Sequence, residues 1–296
     1  MSVRLVREIA VSPSGQLAAA VDLGPEVFVW DVAGRRETGS FKSIFEFGGR
    51  RLAISDPGLV VAAAYHRQGI ACYDSRSGGL VWNRKDLTKV QCVSMSASSQ
   101  FVYVCFDNRP CKVLWTNSGY TAFNIRGARM VFDSSYGPVA LLDKKIPQVA
   151  SQPNCKRSIT IERLSFAILD AVFSPTALAI TESGGPVRGF DLKTGRERWQ
   201  YQRPGCHILS VGYSDRQSAF FGVEWSYRRS GDYTLIRLES ESGESSEVCN
   251  LGPGLTAEFC LGGDAVLKSN GDVIDVASGA SIDAIALRQT EPVGNS

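Results

Sequence analysis

The sequence predicts an all-β fold of repeated four-stranded antiparallel sheets. Three observations carry the prediction: an apolar strand-and-turn motif recurring along the 296 residues, a hairpin motif in step with it, and no competing helical period. The first motif is an alternating apolar tripeptide closed by a turn-forming residue. Its copies are Ile9-Ala10-Val11-Ser12, Leu52-Ala53-Ile54-Ser55, Val93-Ser94-Met95-Ser96, Met130-Val131-Phe132-Asp133, Ala171-Val172-Phe173-Ser174, Val211-Gly212-Tyr213-Ser214 and Phe259-Cys260-Leu261-Gly262. Their last residues stand at 12, 55, 96, 133, 174, 214 and 262, so successive differences are 43, 41, 37, 41, 40 and 48. A period of about 40–45 residues is that of one four-stranded blade of a β-propeller. After each copy a short turn leads into a second apolar run, as at 17–21, 59–65, 101–106 and 218–225.

The second motif is an apolar residue, an acidic residue and, four positions on, a glycine. It occurs as Tyr73-Asp74 with Gly78, Phe190-Asp191 with Gly195 and Ile274-Asp275 with Gly279, and with glutamate as Leu238-Glu239 with Gly243. Trp30-Asp31 with Gly34 is one residue short, and Trp115 with Gly119 lacks the acid. The chemistry is that of a tight hairpin: the carboxylate accepts from nearby backbone N–H groups, and glycine takes the positive φ that reverses the strand. Gly119 and Gly195 are 76 residues apart, about two blade periods, so one copy is missing near residue 157. The expectation is a seven-bladed β-propeller of four-stranded antiparallel blades with blade 4 degenerate, spanning residues 1–288, and a flexible C-terminal tail at 289–296.

The stretches Cys72-Tyr73-Asp74-Ser75-Arg76-Ser77-Gly78-Gly79-Leu80-Val81-Trp82 and Gly189-Phe190-Asp191-Leu192-Lys193-Thr194-Gly195-Arg196-Glu197-Arg198-Trp199 resemble the repeat of pyrroloquinoline-quinone-like propellers. Ala171-Val172-Phe173-Ser174-Pro175 resembles the first-strand turn of WD40 blades. The resemblance covers residues 7–288 and implies architecture. Quinone-dependent dehydrogenases of that family are larger exported enzymes with cofactor-capping tryptophans and a metal site; this sequence shows neither an export signal nor the extra length, so no cofactor is expected. Trp82 and Trp199 read as packing residues between blades.

Composition narrows the function classes. The 32 basic and 30 acidic residues are dispersed, giving a net charge of +2 and no electrostatic footprint for nucleic acid or an anionic membrane. No apolar run reaches the roughly 20 residues of a membrane-spanning helix, and residues 1–16 hold no apolar leader, so a cytoplasmic location is expected. The eight cysteines form no C-x-x-C pair, and several, such as Cys72 and Cys105, sit in strand-like runs as small buried hydrophobes. His66 and His207 are the only histidines and read as isolated loop or surface residues, so no metal site is expected. Nucleophile-elbow, phosphate-loop and dinucleotide fingerprints are absent, and Asp74, Asp191 and Asp275 belong to the repeat, so no catalytic residue is assigned.

Departures from the repeat therefore direct the functional search. Residues 144–157, with Lys144, Lys145, Pro147 and Pro153, read as an extended surface loop in blade 4. Residues 224–231 carry Trp225, Tyr227, Arg228 and Arg229, residue types enriched at interface hot spots. Tyr65, His66, Arg67 and Arg109 fall in other loops of the same face, where second-to-third-strand and blade-to-blade connections emerge. The expected function is non-enzymatic protein–protein interaction by a monomer, in its sharpest form an immunity protein neutralising a toxin effector such as a nuclease. A scaffold subunit and a lactonase-like propeller enzyme are the alternatives.

Overall fold

The computed structural model describes residues 8–284, apart from 22–23, 33, 35, 46–49, 65–68, 97, 107–108, 126–127, 135–136, 143–147, 152–156, 162–167, 185, 228–231, 254–256, 261–262 and 269–271, and most side chains of 129–160. Four-stranded antiparallel sheets follow one another at 8–42, 50–84, 90–125, 128–160, 168–201, 206–253 and 257–284, each made of four consecutive strands in hairpin order. First strands pack on first strands: Glu8–Val11 on Arg50–Ile54, Arg50–Ile54 on Val90–Met95, and Ile168–Phe173 on Cys206–Ser214. They surround the axis, the fourth strands form the rim, and the fold is a β-propeller. Closure comes from packing of Glu8–Val11 on Ala257–Cys260, without exchange of a strand between the first and last sheets.

The core is divided among the gaps between sheets. Middle strands are buried on both faces, so Leu17–Val21 and Ala177–Glu182 read as nearly continuous apolar or small residues rather than as an alternation. Separate clusters fill the junctions of the first sheet with the second, the second with the third, the third with the fourth, the fifth with the sixth, the sixth with the seventh and the seventh with the first. Ile161, just beyond the fourth sheet, joins the cluster on the remaining face of the fifth.

The expectation of seven equivalent blades with a degenerate fourth is corrected by this packing. Among the described residues, six sheets bury side chains on both faces, as a blade must, while the fourth is joined only to the third, through Ala128 and Val131. Nor is that fourth sheet degenerate in its strands. Residues expected to form an extended loop hold the strands Gln148–Ser151 and Arg157–Thr160, paired from Gln148 with Thr160 to Ser151 with Arg157. Pro147 and Pro153 lie outside the described residues. Lys144 and Lys145 lie outside the described residues, as do 289–296.

Two side-chain devices shape the turns. The serine ending the first-strand motif is buried, and its Oγ accepts a backbone N–H at the start of the next strand: Leu17 to Ser12 at 3.2 Å, Leu59 to Ser55 at 2.8 Å, Phe101 to Ser96 at 2.9 Å and Ala177 to Ser174 at 2.9 Å. In the hairpins joining third and fourth strands, Asp74 Oδ1 accepts from Ser77 N at 2.8 Å and from Ser77 Oγ at 2.8 Å. Asp191 does the same with Thr194, and Asp275 with Ser278. Gly78, Gly119, Gly195, Gly243 and Gly279 close these hairpins at φ of 68–73° and donate to the carbonyl four residues back.

These hairpins also lock neighbouring blades. A Cβ on Gly119 would lie 2.6 Å from Cδ2 of Trp82, on the outer strand of the preceding sheet, and one on Gly243 would lie 2.7 Å from Cγ of Trp199. The indoles donate into the same hairpins, Trp82 Nε1 to Thr116 O at 2.7 Å and Trp199 Nε1 to Ser240 O at 2.9 Å. Phe41 meets Gly78 in the same way.

Cys72 fits its reading as a buried hydrophobe, with burial pushing its thiol up to about 12. Cys105 is buried as well, in the cluster between the third and fourth sheets, where it is bonded to Cys111 on the adjacent strand.

Two outcomes follow. Gly119→Ala adds a strained left-handed residue and a clash with Trp82, so denaturant unfolding should show a loss of about 1–3 kcal/mol or more, where a neutral result would remove the lock. The bonds from Arg198 and Thr194 to Asp191 hold its carboxyl well below the usual carboxylate range, and those from Ser77 hold down that of Asp74. A lowered native pKa gives stability that is present above the unfolded value of about 3.9 and is lost as pH falls through the native one. Thermal melts of Asp191→Asn should therefore fall less steeply below about pH 4 than those of the wild type.

Candidate functional site

Because every sheet is a simple meander, the two ends of the ring differ in kind. One end carries first-to-second and third-to-fourth strand turns, which the serine and aspartate devices make tight. The other carries second-to-third strand loops and the links between sheets, and the departures from the repeat collect there.

The sixth sheet is the longest, with strands Cys206–Ser214, Ala219–Ser226, Asp232–Glu239 and Ser245–Pro253. At its loop-bearing end three rings meet. His207 stacks on Trp225 with centroids 6.2 Å apart, Tyr227 meets His207 edge-on at 4.9 Å, and Tyr227 meets Trp225 at 4.2 Å. Pairing of His207 with Trp225 across the first two strands produces the stack. Tyr227, one residue beyond the strand, is 60% exposed, while Trp225 and His207 are half-buried. His207 is thus part of an aromatic cluster, which corrects its reading as an isolated histidine. Gly184, between the second and third strands of the fifth sheet, lies beside its ring: a Cβ there would make ordinary van der Waals contact with His207 Cε1 at 3.8 Å.

Next to Trp225 in the same strand, and so on the other face of the sheet, sits a buried charge. Glu224, with its side chain 1% exposed, accepts from Tyr201 Oη at 2.8 Å and pairs with Arg203 at 2.9 Å. Tyr201 belongs to the outer strand of the fifth sheet and Arg203 to the link that follows, so the carboxylate ties that link to the sixth sheet. Burial, together with the nearby Glu224 carboxylate, pushes the Tyr201 phenol upward, keeping it protonated as a donor. The same junction holds Asp170, which accepts from Val211 N at 2.9 Å and Ser210 Oγ at 3.1 Å.

Two exposed leucines complete this end. The register skips Leu169 between Ile168 and Asp170, and Leu209 between Ile208 and Ser210. Each is the extra residue of a bulge, turned out of the ladder, and they are 43% and 38% exposed.

Of the residues expected from the sequence, Trp225 and Tyr227 come together here. Arg109 does not join them: it sits on the third sheet, its guanidinium 4.0 Å from the Phe106 ring centroid and bonded to Thr88 O. Tyr65, His66, Arg67, Arg228 and Arg229 lie outside the described residues. Sequence reasoning missed Leu169, Leu209 and Tyr201. The leucines were traceable, since 209 minus 169 is 40, one blade period, and each stands two residues before Ala171 or Val211 of the first motif.

Among the described residues, no three of His, Cys, Asp and Glu converge as a metal site. The Glu224 carboxylate is already committed to Tyr201 and Arg203, and what the surface offers a ligand beside Tyr227 is apolar area with phenol and guanidinium handles. Arg203→Ala should destabilise the protein by about 1–3 kcal/mol, below the 3–5 kcal/mol of a fully buried pair because Arg203 is 37% exposed. Adding Glu224→Gln should recover part of that loss in a double-mutant cycle of denaturant unfolding, and strict additivity would show the two are not coupled.

No family model and no curated protein matches the chain. Among solved structures, 1631 chains match, a breadth that speaks of a widely used fold rather than of one function. One of them, described as "Structure of U3-55K", aligns with a TM-score of 0.67 at 14% identity over 90% of this chain and 89% of that one. At that identity the likeness establishes the fold alone, and the chain is a β-propeller.

Proposed function

We propose that the protein is a non-enzymatic interaction propeller that binds a protein partner at the loop-bearing end of its fifth and sixth sheets. The observation that carries this reading is Tyr227, a large aromatic 60% exposed yet held against Trp225 and His207. A tyrosine with few rotatable bonds, packed against an indole and an imidazole, loses little freedom on binding and suits an interface anchor. Leu169 and Leu209 add apolar area on the same end, and Arg203 adds a donor. Neutralisation of a toxin effector has no structural observation behind it and is not carried into this reading.

Site-specific photocrosslinking tests the proposal. A benzophenone side chain at position 227 should capture one discrete partner in cells, and competition with unlabelled wild-type protein should abolish the adduct. The same probe at Ser242, in a hairpin on the opposite end, should not capture it. Equal capture at both positions, or at neither, would overturn the assignment.

A further inference from the structure

A second surface, on the second and third sheets, differs from the first in chemistry. The link after the strand Leu80–Arg84 carries Lys85, Asp86 and Lys89, and the loop after Phe101–Phe106 carries Arg109. Arg109 donates to the carbonyl of Thr88, next to Lys89, so loop and link form one surface. Lys112 stands on the strand after the loop, and the Asp86 carboxyl is lowered first by its hydrogen bonds from Arg84 and last by the charge of Lys112. Asp86 is already engaged by Arg84, accepting from Nε and Nη2 at 2.7 Å each.

Among the described residues this leaves Lys85, Lys89, Arg109 and Lys112 beyond the one neutralised pair. Asp107, in the same loop, lies outside the described residues. Lys85, Lys89 and Arg109 are exposed. The patch is also held in shape. The Cys105–Cys111 bond closes the base of the loop, the Phe106 ring supports the Arg109 guanidinium, and buried Leu87 anchors the link. Lys89 adopts φ of 57°, a left-handed conformation unusual for a lysine, which persists where surrounding structure imposes it. Cations on a fixed backbone complement a partner's carboxylates at less cost in ordering than cations on a mobile tail.

We infer that this patch is a docking surface for an acidic segment of a protein partner, separate from the Tyr227 end of the sixth sheet. Its chemistry favours carboxylates over a nucleic acid: the described patch shows isolated cations and no exposed ring on which a base could stack, Phe106 being buried beneath Arg109.

The test is fluorescence anisotropy with a fluorescein-labelled poly-glutamate peptide and the full chain. The wild type should bind, and affinity should fall as salt rises. Lys85→Glu with Lys89→Glu, verified as folded by circular dichroism, should weaken binding by about tenfold or more, since like charges then face each other. Lys193→Glu, on the opposite end of the ring, should bind as the wild type does, and so should Tyr227→Ala, which separates this surface from the one proposed above. Unchanged affinity in the double variant, binding indifferent to salt, or capture of a single-stranded RNA of equal charge in place of the peptide would each overturn the inference.

Discussion

The contact on which this molecule depends is a ring on a glycine. An aromatic from the outer strand of one sheet rests on the hairpin glycine of the next, as Trp82 does on Gly119 and Trp199 on Gly243. A side chain at the glycine would remove the seat, and a smaller residue at the aromatic would leave a void between blades. Each indole also satisfies a hairpin carbonyl, so the contact has a direction as well as an area. Sheets built only from sequential strands share no backbone ladder with their neighbours, which leaves side-chain locks of this kind and the clusters behind them to hold the ring together.

That constraint explains which parts of the fold were legible in the sequence. Ser12, Ser55, Ser96 and Ser174 each close a turn through the same backbone bond, and Asp74, Asp191 and Asp275 each hold a hairpin in the same way, so selection for one geometry wrote one motif several times. The fourth sheet was misread because the sequence between its strands Gln148–Ser151 and Arg157–Thr160 carries neither the acid nor the glycine by which the other hairpins were found. Gly119 without an acid shows the glycine to be the stricter requirement, since the ring contact needs it and the carboxylate bonds only assist.

Less of the candidate site could be read. Trp225 and Tyr227 stood out as residue types that the repeat does not call for. Their meeting with His207 depends on cross-strand register, which a linear motif does not display, and Glu224 with Tyr201 joins residues 23 apart on different sheets. Leu169 and Leu209 are exposed only because the ladder skips them, and a bulge has no local signature beyond its place in the repeat. Arg109 stood out in the sequence as a loop residue, but its meeting with the link at 85–89 could not be read there, because the topology collects at one end residues that the sequence spreads out.

One end of the propeller is thus committed to holding the ring, and the other is the end proposed to bind. Amide hydrogen exchange, residue by residue and with the partner captured at position 227, tests that division most directly. The account predicts slow exchange at the hairpin amides of Gly78, Gly195 and Gly243, each bonded to a carbonyl four residues back, with no change on binding. It predicts faster exchange around residues 203–207 and 227, slowing when the partner is present. Protection appearing first at the hairpins, with the Tyr227 end unchanged, would contradict it.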